Sequence, residues 1–560
     1  MSIRLIDTDT LQLKLFTASL APAYAILSHT WIENEEISFH ELTQISETPD
    51  HKASEKSGYK KILATCREAK ANGIEYAWVD TCCINKTSSA ELGEAINSMF
   101  RWYRDAEVCY AFLSDWPAAD DGGESTDDAL KDCRWFTRGW CLQELIAPKV
   151  LRFYDEKWNF RGHRSDFRDS ISRITRVDAD VLGDCTLLES KPVARRMSWA
   201  SRRITTRIED VAYCLIGIFD VNMPMLYGEG DRAFLRLQEE IIRRSNDISI
   251  FCHAPLRPGS TTRLSREEEM PPDLSGLYFC DMLAKSPEAF SESNSISRIR
   301  GTLLDGREFS MTNRGIRFGR RRFFEVPEIN CLGMKLDYAA SSDCKNLEIF
   351  NVFLRKVGPN LFSRALPIGA KYRHTRVELD DTRRTMLVEK DACVISRVTP
   401  SFQKQIQESV TRRVDVHLKI IQNHEEHLKL RVVEGFPPDR WDSLNRKFLI
   451  PKDASYRTSL RIRITLGQDH TDVYLTCGIP STGEGDVCKQ PWTVFSTSDS
   501  RQLWYSGKWG DEDGSEVAQV TAQYLTSNMK VLLKARICQE PRNVWGSVPF
   551  TCIIEAYLAL

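Results

Sequence analysis

No stretch of this chain approaches the roughly 18 consecutive apolar residues that a membrane-spanning helix needs, so no membrane segment or membrane partner is expected. A basic excess is missing too. Lys and Arg total 76 against 78 Asp and Glu, a formal net charge of −2, which argues against a dedicated nucleic-acid binder. Arg4, Asp7 and Asp9 interrupt any signal-peptide apolar core in the first ten residues, so a cytoplasmic chain is expected. None of the 17 cysteines forms a C-x-x-C pair, and Cys82-Cys83 has the wrong spacing for a zinc knuckle. Reduced, buried thiols are the expectation, with no metal site. His424-Glu-Glu-His427 is not H-E-x-x-H and reads as a polar hairpin tip. Three catalytic signatures are also absent: G-x-x-x-x-G-K-[ST], a G-x-G-x-x-G after a strand, and G-x-S-x-G. Their absence excludes a P-loop NTPase, a standard dinucleotide-binding Rossmann unit and an α/β-hydrolase elbow.

What is present is ordinary globular material. The 560 residues are 42% hydrophobic and 28% charged, enough for three to four domains. The pattern changes near residue 260. Before it, short apolar runs alternate with helical periodicity. Tyr24–Ser28 reads as a strand, Ile74–Val79 as a second, Val108–Leu113 as a third and Val150–Tyr154 as a fourth. Tyr59, Ile62, Leu63 and Cys66 recur at helical spacing, and Gly73 stands where a helix C-terminal cap belongs. Ser88-Ser-Ala-Glu91 has the form of a capping box before a helix with Leu92, Ile96, Met99 and Tyr103 on one face. A further helix over Gly139–Ile146 stops at Pro148. This alternation predicts an open parallel sheet with helices on both faces, of flavodoxin-like type, over residues 1–160. Residues 161–255 read as a helical extension. It holds nine arginines between Arg195 and Arg244, interleaved with Glu209, Asp210, Glu239 and Glu240. A salt-bridged surface is the plainer reading, and phosphate binding by a few of them stays open.

Pro255, Pro258, Gly259, Pro271 and Pro272 mark a linker over 256–275. Beyond it, Leu460, Ile462, Ile464 and Leu466 alternate with Arg461, Arg463 and Thr465, a half-buried strand. Leu347–Leu354, Val414–Ile421 and Val531–Ile537 are further strand-like runs. An antiparallel, sandwich-like region is expected, in two units (276–436 and 437–560) divided at Pro437-Pro438.

In an open parallel sheet, ligands bind beyond the carboxyl ends of the strands. Here the first strand ends at Ser28-His29-Thr30-Trp31, the second at Asp80 and the third at Ser114-Asp115. The helix carrying Trp140, Cys141 and Glu144 follows the third strand, with Trp135 just before it. Each residue also has a plainer reading: a satisfied core histidine for His29, a loop cap for Asp80, an exposed helix carboxylate for Glu144. The coincidence of three strand ends favours a site.

Several motifs in fixed order resemble the fungal heterokaryon incompatibility (HET) domain. They are Ala25–Trp31, Trp78–Lys86, Ser89–Tyr103, Arg134–Leu145 and the stretch from Arg196-Met-Ser-Trp-Ala-Ser201 to Tyr227-Gly-Glu-Gly230. The resemblance spans about residues 22–255, with Ile32 in place of the family's usual glycine and Asn85 where it often has aspartate. It implies regulated cell death when genetically different fungal cells fuse. Trp140-Cys-Leu-Gln-Glu-Leu145 also resembles the W-C-x-x-E-L helix of TIR domains, whose glutamate is catalytic in the NAD-cleaving members. That second likeness implies a TIR-like fold and an NAD glycohydrolase. In it Glu144 steadies positive charge on the ribose, Trp140 or Trp135 stacks on a ring, and Ser28 or His29, with Trp31 and Asp80 nearby, orients the substrate. No cofactor is expected, and NAD enters only as substrate. The alternative is a non-enzymatic signalling module acting by self-association or by recruiting other incompatibility or regulatory proteins.

Overall fold

The N-terminal sheet is built from seven short strands, the central ones mostly apolar where they meet helices. The computed structural model describes residues 2–48, 51–118, 126–253 and 277–299, and between 308 and 559 the strands with a few flanking residues. The strands are β1 (Ser2–Asp7), β2 (Leu13–Thr17), β3 (Tyr24–His29), β4 (Tyr76–Trp78), β5 (Val108–Phe112), β6 (Leu151–Tyr154) and β7 (Phe160–His163). Their spatial order is β2-β1-β4-β3-β5-β6-β7. The central four are mutually parallel and run in the order second, first, third, fourth. That is the start of a flavodoxin-like doubly wound sheet. All four expected strands are there. The β1–β2 hairpin, which pairs antiparallel to β4, and the antiparallel edge strand β7 were not expected.

Helices cover both faces. Among them, α1 (Phe39–Glu47) and α2 (Ser57–Ala71) precede β4, while α3 (Asp80–Cys83) and α4 (Ser89–Asp105) precede β5; α5 (Thr126–Lys131) and α6 (Cys141–Ile146) precede β6. Side chains alternate across a strand. Leu27, His29, Tyr110 and Tyr154 therefore share one face, where Tyr110 and Tyr154 meet Asn72 and Glu68 of the α2 end. Tyr24, Ile26, Ser28 and Phe153 share the other. There the Tyr24 hydroxyl donates to the Trp102 carbonyl of α4, and Trp78 packs edge-on against Trp102 and Tyr103.

Helix ends follow the sequence with one revision. Gly73 sits just past α2 at φ +75°, the left-handed conformation that glycine adopts without strain. At α4, Ser88 caps the Glu91 N–H as expected, but the Glu91 carboxylate does not complete the box. It accepts instead from the Asn85 N–H and from Arg4 of β1, tying the unexpected hairpin to the sheet. The reciprocal box is at Ser38–Glu41, before α1.

The helical segment keeps the same core. Phe234, Leu237 and Ile241 of α11 (Arg232–Arg244), the last of five short helices that follow β7, are buried as expected. Its charges divide. Arg195–Asp178, Arg243–Glu240 and Arg244–Asp220 are the expected ion pairs. Glu209 is a correction: it is buried, and its carboxylate accepts from the N–H groups of Gly228 and Gly230, both at positive φ. The Gly-Glu-Gly turn is thus fastened by an internal carboxylate, not by a surface pair.

Beyond residue 276 the described residues form three β-sheets, of ten, six and four strands. The runs at 347–354, 414–421, 460–466 and 531–537 lie in strands Asn346–Gly358, Arg412–Ile420, Tyr456–Leu466 and Met529–Gln539. Described pairings are antiparallel apart from two parallel ones, 361–367 with 393–395 and 412–420 with 550–559. One hydrophobic core runs from Ile3 through the helical segment to Phe362, so the ten-stranded sheet packs with the N-terminal region. A separate core lies within 428–556. The expected linker, the Pro437-Pro438 division and His424–His427 lie outside the described residues. Among the described residues, no helix is long and apolar enough to cross a membrane.

Candidate functional site

Strands β3 and β4 run parallel with Tyr24 opposite Tyr76 and Ile26 opposite Trp78. Continuing that register brings Ser28 level with Asp80 at the same carboxyl edge. Helix α6 lies against this edge because of what holds its start. The Gly139 N–H donates to the Ile204 carbonyl at 3.0 Å, and the Ile204 N–H to the Thr137 carbonyl at 2.7 Å. A Cβ on Gly139 would come within 2.5 Å of Thr205 Cγ2, so only glycine permits the close approach. Every residue of α6 is buried. A helix apolar on most sides is a core element, and Glu144 is the ionisable group it carries inward.

Glu144 is 8% exposed, and its Oε2 accepts from the Ser28 hydroxyl at 2.5 Å. The Trp135 indole N–H donates to the same Ser28 oxygen at 2.7 Å. Ser28 and Trp135 are both fully buried. Burial pushes the Glu144 carboxyl up to about 8; the Ser28 hydrogen bond opposes this, while the Asp80 charge adds to it. Cys141 and Arg138 supply smaller opposing contributions. At neutral pH the carboxyl therefore holds its proton. Arg203 lies within electrostatic reach of Glu144, with its Nη1 on the Arg138 carbonyl at 2.8 Å and its Nη2 unpartnered.

Asp80 accepts from the Trp31 indole N–H at 3.0 Å, and the Lys86 ammonium lies 3.8 Å from the Trp31 ring centre. Trp31 is 42% exposed, which makes it the aromatic of the group that solvent reaches. The sequence residues thus come together as a buried trio (Ser28, Trp135, Glu144) beside a half-exposed pair (Asp80, Trp31). Two stand apart. His29 points to the opposite face of β3, where its Nε2 is 3.2 Å from Glu36 Oε2. Burial alone would raise the Glu36 carboxyl, but His29 and Lys61 outweigh it and hold it at about 2. Trp140, half-buried at the start of α6, directs its indole to Asp210 of the helical segment, away from Ser28. Asp115, at the third strand end, accepts from the Arg134 N–H and fastens the turn that carries Trp135.

Sequence reading did not single out Glu36, Lys61, Arg138 or Arg203. Glu36 and Lys61 come from a loop and a helix flank with no motif of their own. Arg138 and Arg203 stood among many arginines, and only the 137–139 to 204 pairing sets them beside Glu144. Among the described residues, no three metal-binding side chains cluster.

Comparison with known proteins bears on the family of the N-terminal part. Residues 24–128 match the heterokaryon incompatibility protein (HET) family, and residues 232–318 match a domain of unknown function, DUF8212. Vegetative incompatibility protein HET-E-1 of Podospora anserina is 46% identical over 225 residues, covering 39% of this chain. The match takes in 16% of that relative's length. No solved structure matches the chain.

Proposed function

We propose that this chain, which belongs to the heterokaryon incompatibility family through its N-terminal domain, triggers cell death in non-self recognition by cleaving the N-glycosidic bond of NAD at Glu144. The observation that carries the reading is the buried Glu144 carboxylate, held by Ser28 at the carboxyl edge of a parallel sheet. In the reaction, the bond between ribose C1′ and the nicotinamide nitrogen breaks. Its electron pair leaves with nicotinamide, which departs neutral and needs no acid. Positive charge gathers on the ribose, where an ionised Glu144 stabilises it. Water adds to C1′ and releases its proton to solvent, giving ADP-ribose. Ser28, itself fixed by Trp135, sets the carboxylate's direction, and Trp31 offers the exposed ring for stacking.

Purified chain incubated with NAD should release nicotinamide. Glu144→Ala and Glu144→Gln should each lower turnover by about 10²–10⁴-fold, the range of one electrostatic or acid–base group. A second reading has its own support. Glu144 is only 8% exposed, so in this conformation a substrate has little access to it. A signalling module that acts by self-association or recruitment requires no access. Full killing of fungal cells by Glu144→Gln at wild-type protein levels would decide for that module and against catalysis.

A further inference from the structure

Two arginines of the helical extension, Arg195 and Arg196, line a cavity of about 570 Å³ between that extension and the ten-stranded sheet. One wall is formed by residues 189–196 and 245–248, the other by 296–298 and 336–338. The volume is within the roughly 300–1,000 Å³ of small-molecule sites. Asp247 is already engaged: Oδ2 accepts from the Val193 N–H, and Oδ1 from the Ser249 N–H and the Tyr338 hydroxyl. Asp178, behind the wall, is taken up by Arg195 through Nε and Nη2, while Lys191 donates to Asp180 at 2.6 Å and keeps its other N–H groups. The donors are not saturated. Arg195 has five N–H groups and spends two of its three nitrogens on Asp178. Arg196 is nine-tenths buried, with Nη1 on the Ile218 carbonyl and Nε without a partner. Cationic N–H groups left over on one wall suit a ligand that brings anionic acceptors.

We propose that this cavity binds a phosphate-bearing small molecule of mononucleotide size. The phosphate would sit on Lys191, Arg195 and Arg196, since guanidinium forks match phosphate oxygens. Glu189, on the exposed rim, and Asp337, on the sheet wall, are the carboxylates left to accept from sugar hydroxyls. Tyr338 offers a ring edge beside them. Such a ligand would bridge the helical segment to the β-rich region, and this site is independent of Glu144. The region matched by the domain of unknown function supplies both 245–248 and 296–298, so two of its segments meet at the cavity.

The test uses the full chain and isothermal titration with AMP, adenosine and inorganic phosphate. AMP should bind saturably, at least tenfold tighter than either adenosine or inorganic phosphate. Arg195→Ala should weaken AMP at least tenfold. Because that change also removes an ion pair, Ser297→Trp serves as the second variant. Ser297 is exposed on a cavity-lining strand, and its replacement fills the opening without removing a charge. It should abolish AMP binding while leaving the melting temperature of the free protein unchanged. No saturable AMP binding by the wild type, equal binding of adenosine, or AMP affinity unchanged in Ser297→Trp would each overturn the proposal.

Discussion

Replacing Glu144 by glutamine should make this protein more stable, and by an amount that depends on pH. The folded chain holds the Glu144 carboxyl at about 8 against an ordinary value of 4.5. Between those values the unfolded chain has lost the proton and the folded chain keeps it. The folded state then binds more protons, so its stability falls as pH rises through the window, by about 1.4 kcal/mol per pH unit. At pH 7, 2.5 units above the ordinary value, the accumulated cost is about 3 kcal/mol. Glutamine carries no titrating proton, and its carbonyl still accepts from the Ser28 hydroxyl. Calorimetric melting of wild type and Glu144→Gln should therefore coincide near pH 4.5–5 and diverge steadily to pH 8. For a domain of this size, about 3 kcal/mol corresponds to several degrees at pH 7. Melting curves that stay parallel from pH 5 to pH 8 would show that Glu144 titrates as an exposed carboxylate does, and the argument from burial would fail.

Gly139→Ala should destabilise by about 1–3 kcal/mol, as overpacking does, because its Cβ would meet Thr205 Cγ2 at 2.5 Å; urea unfolding measures it. Glu209→Ala removes a charged acceptor from two backbone N–H groups, each bond worth about 1.5–3 kcal/mol, and should open residues 227–230 to limited proteolysis. Glu36 is held at about 2, so its contribution is complete above pH 4.5 and lost as pH falls toward 2. Lys61→Met should move acid unfolding to higher pH, followed by circular dichroism.

The central sheet was legible because its strands are short apolar runs separated by helices with clear caps, and that pattern has few topological solutions. The β1–β2 hairpin was not. Ser2–Asp7 alternates only partly, and its pairing to β4 depends on Arg4 reaching Glu91 and the Cys83 carbonyl, contacts about 80–90 residues apart in sequence. The strand-end rule brought Ser28, Asp80 and Glu144 to one edge, but a position at a strand end does not say which face a side chain takes. One residue of offset sends His29 to the α2 side and Ser28 to the α6 side. Trp140 and Glu144 share a helix at i, i+4, which suggested a common direction. Trp140 lies at the helix boundary, however, where its indole meets Asp210 of the helical segment. The buried role of Glu209 was hidden for a related reason: among many charges, sequence cannot say which one finds two glycine N–H groups.

A carboxyl that is protonated at neutral pH is ill suited to stabilising a cation, yet under the proposed reaction NAD itself would resolve this. The nicotinamide ring of NAD carries a positive charge before cleavage and passes it to the ribose as the bond breaks. A cation placed against Glu144 favours the ionised carboxylate and lowers its pKa, as Arg138 already does in part. Binding should then expel the proton that the free protein holds. With the free carboxyl at about 8, roughly nine-tenths of molecules are protonated at pH 7, so NAD binding should release close to one proton. Titrating NAD into the protein in buffers of different ionisation enthalpy measures that number directly, and Glu144→Gln should reduce it to near zero. If wild type binds NAD with no dependence on buffer, Glu144 is not beside the cationic ring, and the catalytic assignment fails even where nicotinamide is released.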